Sequence, residues 1–234
     1  MKWVEQAQRM GVVLNKEQIE QFKRYAALLL AWNEKLNLTA VRQLDQIYQR
    51  HFLDSLSCVS VLGQLDGRSL IDVGSGAGFP GLPLKIVFPQ MRLTLVESVQ
   101  KKARFLEVVA AELQLENVTI VAERVEQIGQ QAAHREQYDW AVARAVAELR
   151  VLVEYLLPLC RVGGAMLAQK GPQAGAELAA AQQAISQLGG GDAQLHAVSQ
   201  PEEEMNWYLV VIPKTAVTPP KFPRRVGMPV KRPL

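Results

Sequence analysis

Ser69-Leu-Ile-Asp-Val-Gly-Ser-Gly-Ala-Gly78 decides the fold of this 234-residue chain. Its apolar positions Leu70, Ile71 and Val73 read as a buried strand, which carries the acid Asp72 and runs into glycines at 74, 76 and 78. Glycine after a strand lets the chain turn with positive φ and lets a ligand lie against bare backbone. The spacing is Gly-x-Gly-x-Gly, and Phe79 stands where a dinucleotide fingerprint places its third glycine, so a nicotinamide site fits poorly.

Downstream of this stretch, short apolar runs alternate with helical patterns. Strands are predicted at 69–73, 91–96, 118–121, 138–143 and 164–169, with a closing hairpin at 194–199 and 207–212. Helices are predicted at 81–88, 101–114, 147–158 and 173–188. That alternation implies right-handed strand–helix–strand units and a mostly parallel sheet with helices on both faces. Gly189-Gly-Gly191 reads as a flexible connector, since no strand feeds it. Residues 1–62 read differently, as a helical layer. Ile19, Phe22, Tyr25, Ala26, Leu29 and Leu30 recur at helical steps, and a second helix is predicted from Leu44 to Leu62, with Asn37-Leu-Thr-Ala between them.

In open α/β sheets ligands sit at the carboxyl ends of the strands, where strand order reverses. The second strand ends at Glu97, 23 residues after Gly74, where an acid can accept hydrogen bonds from two ribose hydroxyls. By itself such a Glu is more often a helix N-cap or first-turn acid; paired with the glycine loop, the ribose reading is favoured. The third strand leads into Val125 and Glu126, and the fourth delivers Arg144 to the same edge, either onto a ligand or into an internal salt bridge. An acid on the first strand, a Gly-x-Gly-x-Gly loop and an acid closing the second strand resemble the S-adenosylmethionine loop of Rossmann-like class I methyltransferases.

Composition limits the alternatives. A chain that is 49% hydrophobic and 21% charged suits a globule with a full core. No apolar stretch approaches a membrane span and no signal-peptide core opens the chain. Cys58 and Cys160 are far apart, and no histidine has metal-ligand spacing, so no disulfide framework or metal site is expected and a cytoplasmic protein is. No Asn/Asp-Pro-Pro-aromatic motif follows the fourth strand, and no Pro-Cys nucleophile exists. Both absences disfavour methylation of exocyclic amines and of pyrimidine C5. A guanine N7, with its free lone pair, needs neither device, only in-line positioning. The net charge of +3 is carried entirely by the last 21 residues, which hold six bases and no acid, against 20 bases and 23 acids elsewhere. Such a tail suits phosphate contact better than core packing, or is a solvated end.

Longer motifs carry a more specific likeness. They are Asn37-Leu-Thr39, Arg50-His-Phe-Leu-Asp-Ser-Leu56, Asp72-Val-Gly-Ser-Gly-Ala-Gly-Phe-Pro-Gly-Leu-Pro83, Glu97-Ser-x-x-Lys-Lys, Arg124-Val-Glu126, Arg144-Ala-Val-Ala147, Lys170-Gly171 and Lys221-Phe-Pro-Arg-Arg-x-Gly-x-Pro-x-Lys231. Together they resemble the glucose-inhibited division protein B family, with Phe79 a departure where other members carry Leu. The resemblance implies a guanine-N7 methyltransferase acting on 16S ribosomal RNA or the small ribosomal subunit. It implies S-adenosylmethionine as donor and S-adenosylhomocysteine as product; a monomer is expected. Donor contacts are implied at Gly74, Phe79, Val125, Glu126 and Arg144, with Glu97 on the ribose. Gly76 and Gly78 complete the loop, and Asp72 either orients it or touches the donor.

No general base is expected, because N7 carries no proton; Arg144 is the one candidate for a catalytic part. Lys221, Arg224, Arg225, Lys231 and Arg232 are expected on the RNA backbone. The expected organisation is a helical cap over 1–65, a donor-binding domain over 66–213 with a seven-stranded sheet, and a basic tail over 214–234. His51 and Asp54 read as a structural pair or as an RNA contact; Lys101 and Lys102 as solvated or phosphate-touching. Trp207 and Tyr208 read as edge-strand packing over base stacking. The rival functions are a class I methyltransferase for a small molecule or protein, and a non-catalytic donor-binding regulator.

Overall fold

The computed structural model describes residues 2–198 and 207–234. Its strands are β1 (Ser69–Val73), β2 (Arg92–Val96), β3 (Val118–Val121), β4 (Tyr138–Arg144), β5 (Cys160–Lys170), β6 (Gln194–Val198) and β7 (Trp207–Pro213). They form a seven-stranded sheet in the order β3-β2-β1-β4-β5-β7-β6. The N-terminal helices are α1 (Lys2–Arg9), α2 (Lys16–Leu36), α3 (Leu44–Ile47), α4 (Asp54–Ser57) and α5 (Val59–Leu62), with a π-helix at Tyr48–Leu53. The others are α6 (Gly81–Val87), α7 (Gln100–Glu112), α8 (Val125–Ile128), α9 (Leu149–Leu156), α10 (Ala174–Gln187) and α11 (Met228–Lys231). The last residue of the expected hairpin strand, 199, lies outside the described residues. Contacts divide the chain into two compact units, Met1–Arg68 with Ser75–Ala122, and Ser69–Gly74 with Glu123–Leu234.

The first unit is built on α2. Asn15 caps it reciprocally with Gln18, at 2.9 and 3.0 Å, which satisfies two backbone donors otherwise left open at a helix start. Its buried face, Phe22, Tyr25, Ala26 and Leu29, follows the helical spacing of the sequence. That face meets Trp3, Tyr48 and Phe52 in an aromatic cluster, with Trp3 stacked on Tyr48 at 4.8 Å and Phe22 against Phe52 at 4.9 Å. The Gln18 amide reaches the carbonyl of Ile86 at 2.9 Å, tying α2 to the end of α6. The helix expected over 44–62 is present, but its middle is the π-helix that widens the turn around His51. Such widened turns recur at functional sites.

In the second unit β1, β4 and β5 run parallel, β7 is antiparallel to β5, and β6 closes the edge on β7. Strand order reverses between β1 and β4, so their carboxyl ends flank the switch point of the sheet. The start of β1 is pinned by Asp139, which accepts the Ser69 N–H at 2.8 Å and the Ser69 hydroxyl at 2.9 Å, and pairs with Arg161 at 2.8 Å.

The basic tail departs from its composition. Lys214, Thr218, Phe222 and Pro229 are buried, so this segment packs into the second unit and does not lie free beyond a domain boundary at 213. The Lys214 ammonium donates to the Leu188 carbonyl at 2.9 Å and faces Glu136 at 3.4 Å. The Gly189–Gly191 run is also packed, not a loose connector: Gly191 N–H bonds the Pro213 carbonyl at 2.8 Å, and a side chain at Gly190 would strike Ile185 at 2.7 Å.

Burial alone would raise the Asp139 pKa; the Ser69 amide, the Arg161 guanidinium and the Ser69 hydroxyl outweigh it and hold the carboxyl at about 2, against 3.8 ordinarily. A depressed folded-state pKa stabilises the fold above the unfolded value and stops doing so as pH falls through the folded one. Urea unfolding is therefore expected to show stability lost between about pH 4 and pH 2. Asp139→Asn should be less stable at neutral pH and show a shallower loss over that window.

Candidate functional site

In the first unit the glycine loop is held by donors and acceptors on several sides. Ser75 N–H bonds the Val96 carbonyl at 3.1 Å, which docks the loop on the end of β2. Glu97, the next residue, is buried; one carboxylate oxygen accepts the Gly76 N–H at 3.0 Å and the other the Val99 N–H at 2.8 Å. A charged oxygen accepting a backbone N–H makes a stronger, better-oriented bond than a neutral one. The Tyr25 hydroxyl, buried on α2, donates to the Ala77 carbonyl. Gly78 has φ +97°, and a Cβ there would lie 2.6 Å from that hydroxyl oxygen. Conformation and space therefore both demand glycine at this position.

Phe79 closes the loop between two rings of the helical layer. Tyr25 stacks on it at 5.6 Å and His51 at 4.6 Å. The π-helix turns the His51 ring onto Phe79, and both ring nitrogens have protein partners. Nδ1 lies 3.0 Å from the Arg50 carbonyl and Nε2 lies 2.7 Å from the Thr39 hydroxyl. Because a carbonyl only accepts, Nδ1 carries a proton, and Nε2 shares its bond with the Thr39 hydroxyl, a group that can both donate and accept. Asn33 locks Thr39 in turn, exchanging two bonds with its backbone at 2.9 Å each. His51 is thus a ring fixed over Phe79 of the glycine loop, a placement that its spacing from Asp54 did not indicate.

In the second unit Asp72 is fully buried in β1, in register with Val142, two residues before Arg144 on β4. Gly74 has φ +69°, and a Cβ there would meet Val146, just past β4, at 2.6 Å. Arg144 ends β4 beside Gln169 of β5, half-buried. Nearby, the Lys170 ammonium donates to the Ala147 carbonyl at 2.9 Å and pairs with Glu177 at 2.7 Å, which fixes the turn after β4. Val125 and Glu126 open α8, both buried. One Glu126 oxygen accepts the Gly227 N–H at 2.8 Å and the Tyr155 hydroxyl at 3.3 Å. Burial, and then the Glu126 charge, push that phenol up to about 12. Cys160 is fully buried and its thiol is also pushed up to about 12 by that burial, so no thiolate forms there near neutral pH.

A family model described as rRNA small subunit methyltransferase G, the GidB family, matches residues 18–206. The chain belongs to that family. A ribosomal RNA small subunit methyltransferase G from Roseiflexus castenholzii is 53% identical over 224 residues, covering 96% of this chain and 95% of the relative. One of the same name from Alkaliphilus metalliredigens is 47% identical over 227 residues, covering 97% and 95%. Among solved structures, a precorrin-6y C5,15-methyltransferase from Geobacter metallireducens superposes with TM-score 0.52 at 14% identity, over 69% of this chain and 87% of that one. A predicted O-methyltransferase from Agrobacterium tumefaciens superposes with TM-score 0.53 at 16% identity, over 70% and 80%. Both share the Rossmann-like class I fold.

For a small-subunit rRNA methyltransferase of this family, the structure brings Gly76 and Glu97 into direct contact in one unit. In the other it sets Asp72, Gly74 and Arg144 on neighbouring strand ends. It engages Glu126 with Gly227 and Tyr155, an arrangement spacing did not indicate. Among the tail cations expected on RNA, Lys221, Arg225, Lys231 and Arg232 are exposed, while Arg224 is turned onto the buried Glu154 at 2.6 Å. Arg224 is a structural cation here, because a buried carboxylate must be met by donors. Sequence reasoning missed Tyr25, which it placed only on an apolar helix face; a tyrosine among phenylalanines and leucines there is a signal that a buried hydroxyl needs a partner.

Tyr25→Phe keeps the stack on Phe79 but leaves the Ala77 carbonyl short of a donor, and is expected to lower stability by about 1–2 kcal/mol. Gly78→Ala adds left-handed strain to a steric clash and should cost about 2–4 kcal/mol. Urea titrations of both variants check the order.

Proposed function

We propose that the chain transfers the methyl group of S-adenosylmethionine to N7 of a guanosine in 16S ribosomal RNA, releasing S-adenosylhomocysteine. The observation that carries this reading is Glu97, closing β2 with one carboxylate oxygen already on the Gly76 N–H of the glycine loop, in a chain of the rRNA small subunit methyltransferase G family. The donor set suits a nucleoside. Each Glu97 oxygen accepts one backbone N–H, and a carboxylate has about four acceptor sites, so two remain for a ribose diol. Bare glycine backbone beside it permits close approach.

When bound, the donor supplies an electrophilic methyl on a cationic sulfonium. The chain's own part is to hold and aim. Glu97 orients the ribose, the loop from Asp72 to Phe79 carries the methionine-side backbone contacts, and Val125 with Glu126 flanks the adenine. Arg144, at the end of β4, is assigned to the donor as well. N7 attacks through its lone pair and loses no proton, so no general base is assigned, and the work is in-line placement. The buried neutral thiol of Cys160 supplies no nucleophile of the kind that C5 methylation of a pyrimidine requires.

The exposed cations Lys221, Arg225, Lys231 and Arg232 contact RNA phosphates, and Arg224 seats the tail that presents them. No helix among the described residues is long and apolar enough to cross a membrane. We read the chain as a cytoplasmic monomer acting on the small ribosomal subunit or its RNA.

The test is direct. Chain incubated with methyl-labelled S-adenosylmethionine and 16S RNA or 30S particles from a strain lacking the enzyme should place label on one guanosine. Borohydride and aniline treatment should then cleave the RNA at that position, as an N7-methylated base allows. Label on a pyrimidine or an exocyclic amine defeats the assigned chemistry. Label on no RNA, with donor binding intact, favours a binding protein.

A further inference from the structure

The C-terminal segment does more than present cations. Residues 218–227 lie along the stretch 125–135, which begins with Val125 and Glu126, and one guanidinium staples the two together. Arg135 donates to the carbonyl of Gly129 at 2.9 Å on its own side, and to those of Phe222 at 2.6 Å and Thr218 at 2.7 Å on the other. The Gln130 amide adds a bond to the Pro223 carbonyl at 2.8 Å, and Glu126 accepts the Gly227 N–H at 2.8 Å. The fit is close: a Cβ on Gly129 would fall 2.7 Å from the Pro223 ring. A four-residue helix such as α8 has too few internal bonds to hold its own shape and depends on what packs against it. Arg135 suits this task because its planar fork of five donors can satisfy several carbonyls at once.

We propose that residues 218–227 are a strap of the donor site, holding α8 and the turn after it in the shape that receives the adenine, with Arg135 as the positioning residue. The inference rests on the reading of Val125 and Glu126 as donor contacts. It makes the tail serve two ligands: its exposed cations face RNA, and its backbone shapes the donor pocket before any RNA arrives.

The experiment measures S-adenosylmethionine binding to the full chain by calorimetry, without RNA, alongside hydrogen exchange over 218–227. Arg135→Met removes the staple. Gly129→Ala is a gentler probe, since Gly129 already has helical φ of −64° and the added methyl would press on the Pro223 ring of the strap, with the Val125 carbonyl oxygen at an ordinary contact distance of 3.4 Å. Both variants are expected to bind donor at least fivefold more weakly, to exchange faster over 218–227, and to keep cooperative unfolding. The double variant Lys231→Ala, Arg232→Ala should leave donor affinity unmoved, while the salt dependence of RNA binding falls by about two counterions.

Donor affinity within twofold of wild type in Gly129→Ala or Arg135→Met overturns the strap. So does unchanged exchange over 218–227, because the staple would then hold nothing. Equal loss of donor affinity in the double cation variant also overturns it. If the wild-type chain itself binds no donor, it is the assignment of the donor site that fails.

Discussion

Glu154 is fully buried, and its carboxylate is met by the Arg224 guanidinium on both oxygens and by the Arg224 backbone N–H at 2.8 Å. Moving an ionised carboxylate out of water costs several kcal/mol, so it persists only where donors are fixed around it. The same constraint recurs at Asp139, Glu126 and Glu97, each of which takes a backbone N–H from another segment. A backbone donor cannot swing away as a long side chain can. Each of these carboxylates therefore fixes a stretch of main chain in position: the start of β1, the C-terminal strap and the glycine loop.

This use of charge explains how an irregular loop and a tail rich in proline reach one conformation with little regular secondary structure. Loops that carry function need a rigid scaffold to position them. Here the scaffold reaches the loop through Glu97 on its amide side and Tyr25 on its carbonyl side, and through the stacked rings of Tyr25, Phe79 and His51. The helical layer contributes more than apolar cover, since it supplies the hydroxyl and the ring that set the loop's outer half.

The tail shows the same economy. Its six bases look alike in composition, but two are consumed internally. Lys214 is buried among the Leu188 carbonyl, Thr218 and Glu136, where burial lowers its pKa and Glu136 opposes that. Arg224 is spent on Glu154. The remaining four residues are exposed on a backbone that is already held, so phosphate contact would order little additional chain.

Much of this was legible in the residues alone. Apolar runs and glycine spacing located all seven strands, because strand and helix differ in the period at which side chains return to one face, and that period is local. The glycine loop and the acid at Glu97 were legible for the same reason: the chemistry of a strand end lies within a few residues of the strand. What only the tertiary structure decided are pairings between positions far apart, such as Tyr25 with Ala77 across 52 residues, Glu154 with Arg224 across 70 and Glu126 with Gly227 across 101. Periodicity states which face of an element is buried but not what it is buried against. The partner of a hydroxyl or a carboxylate is chosen by packing, and so the fate of Glu126, Arg224 and the tail was settled in three dimensions.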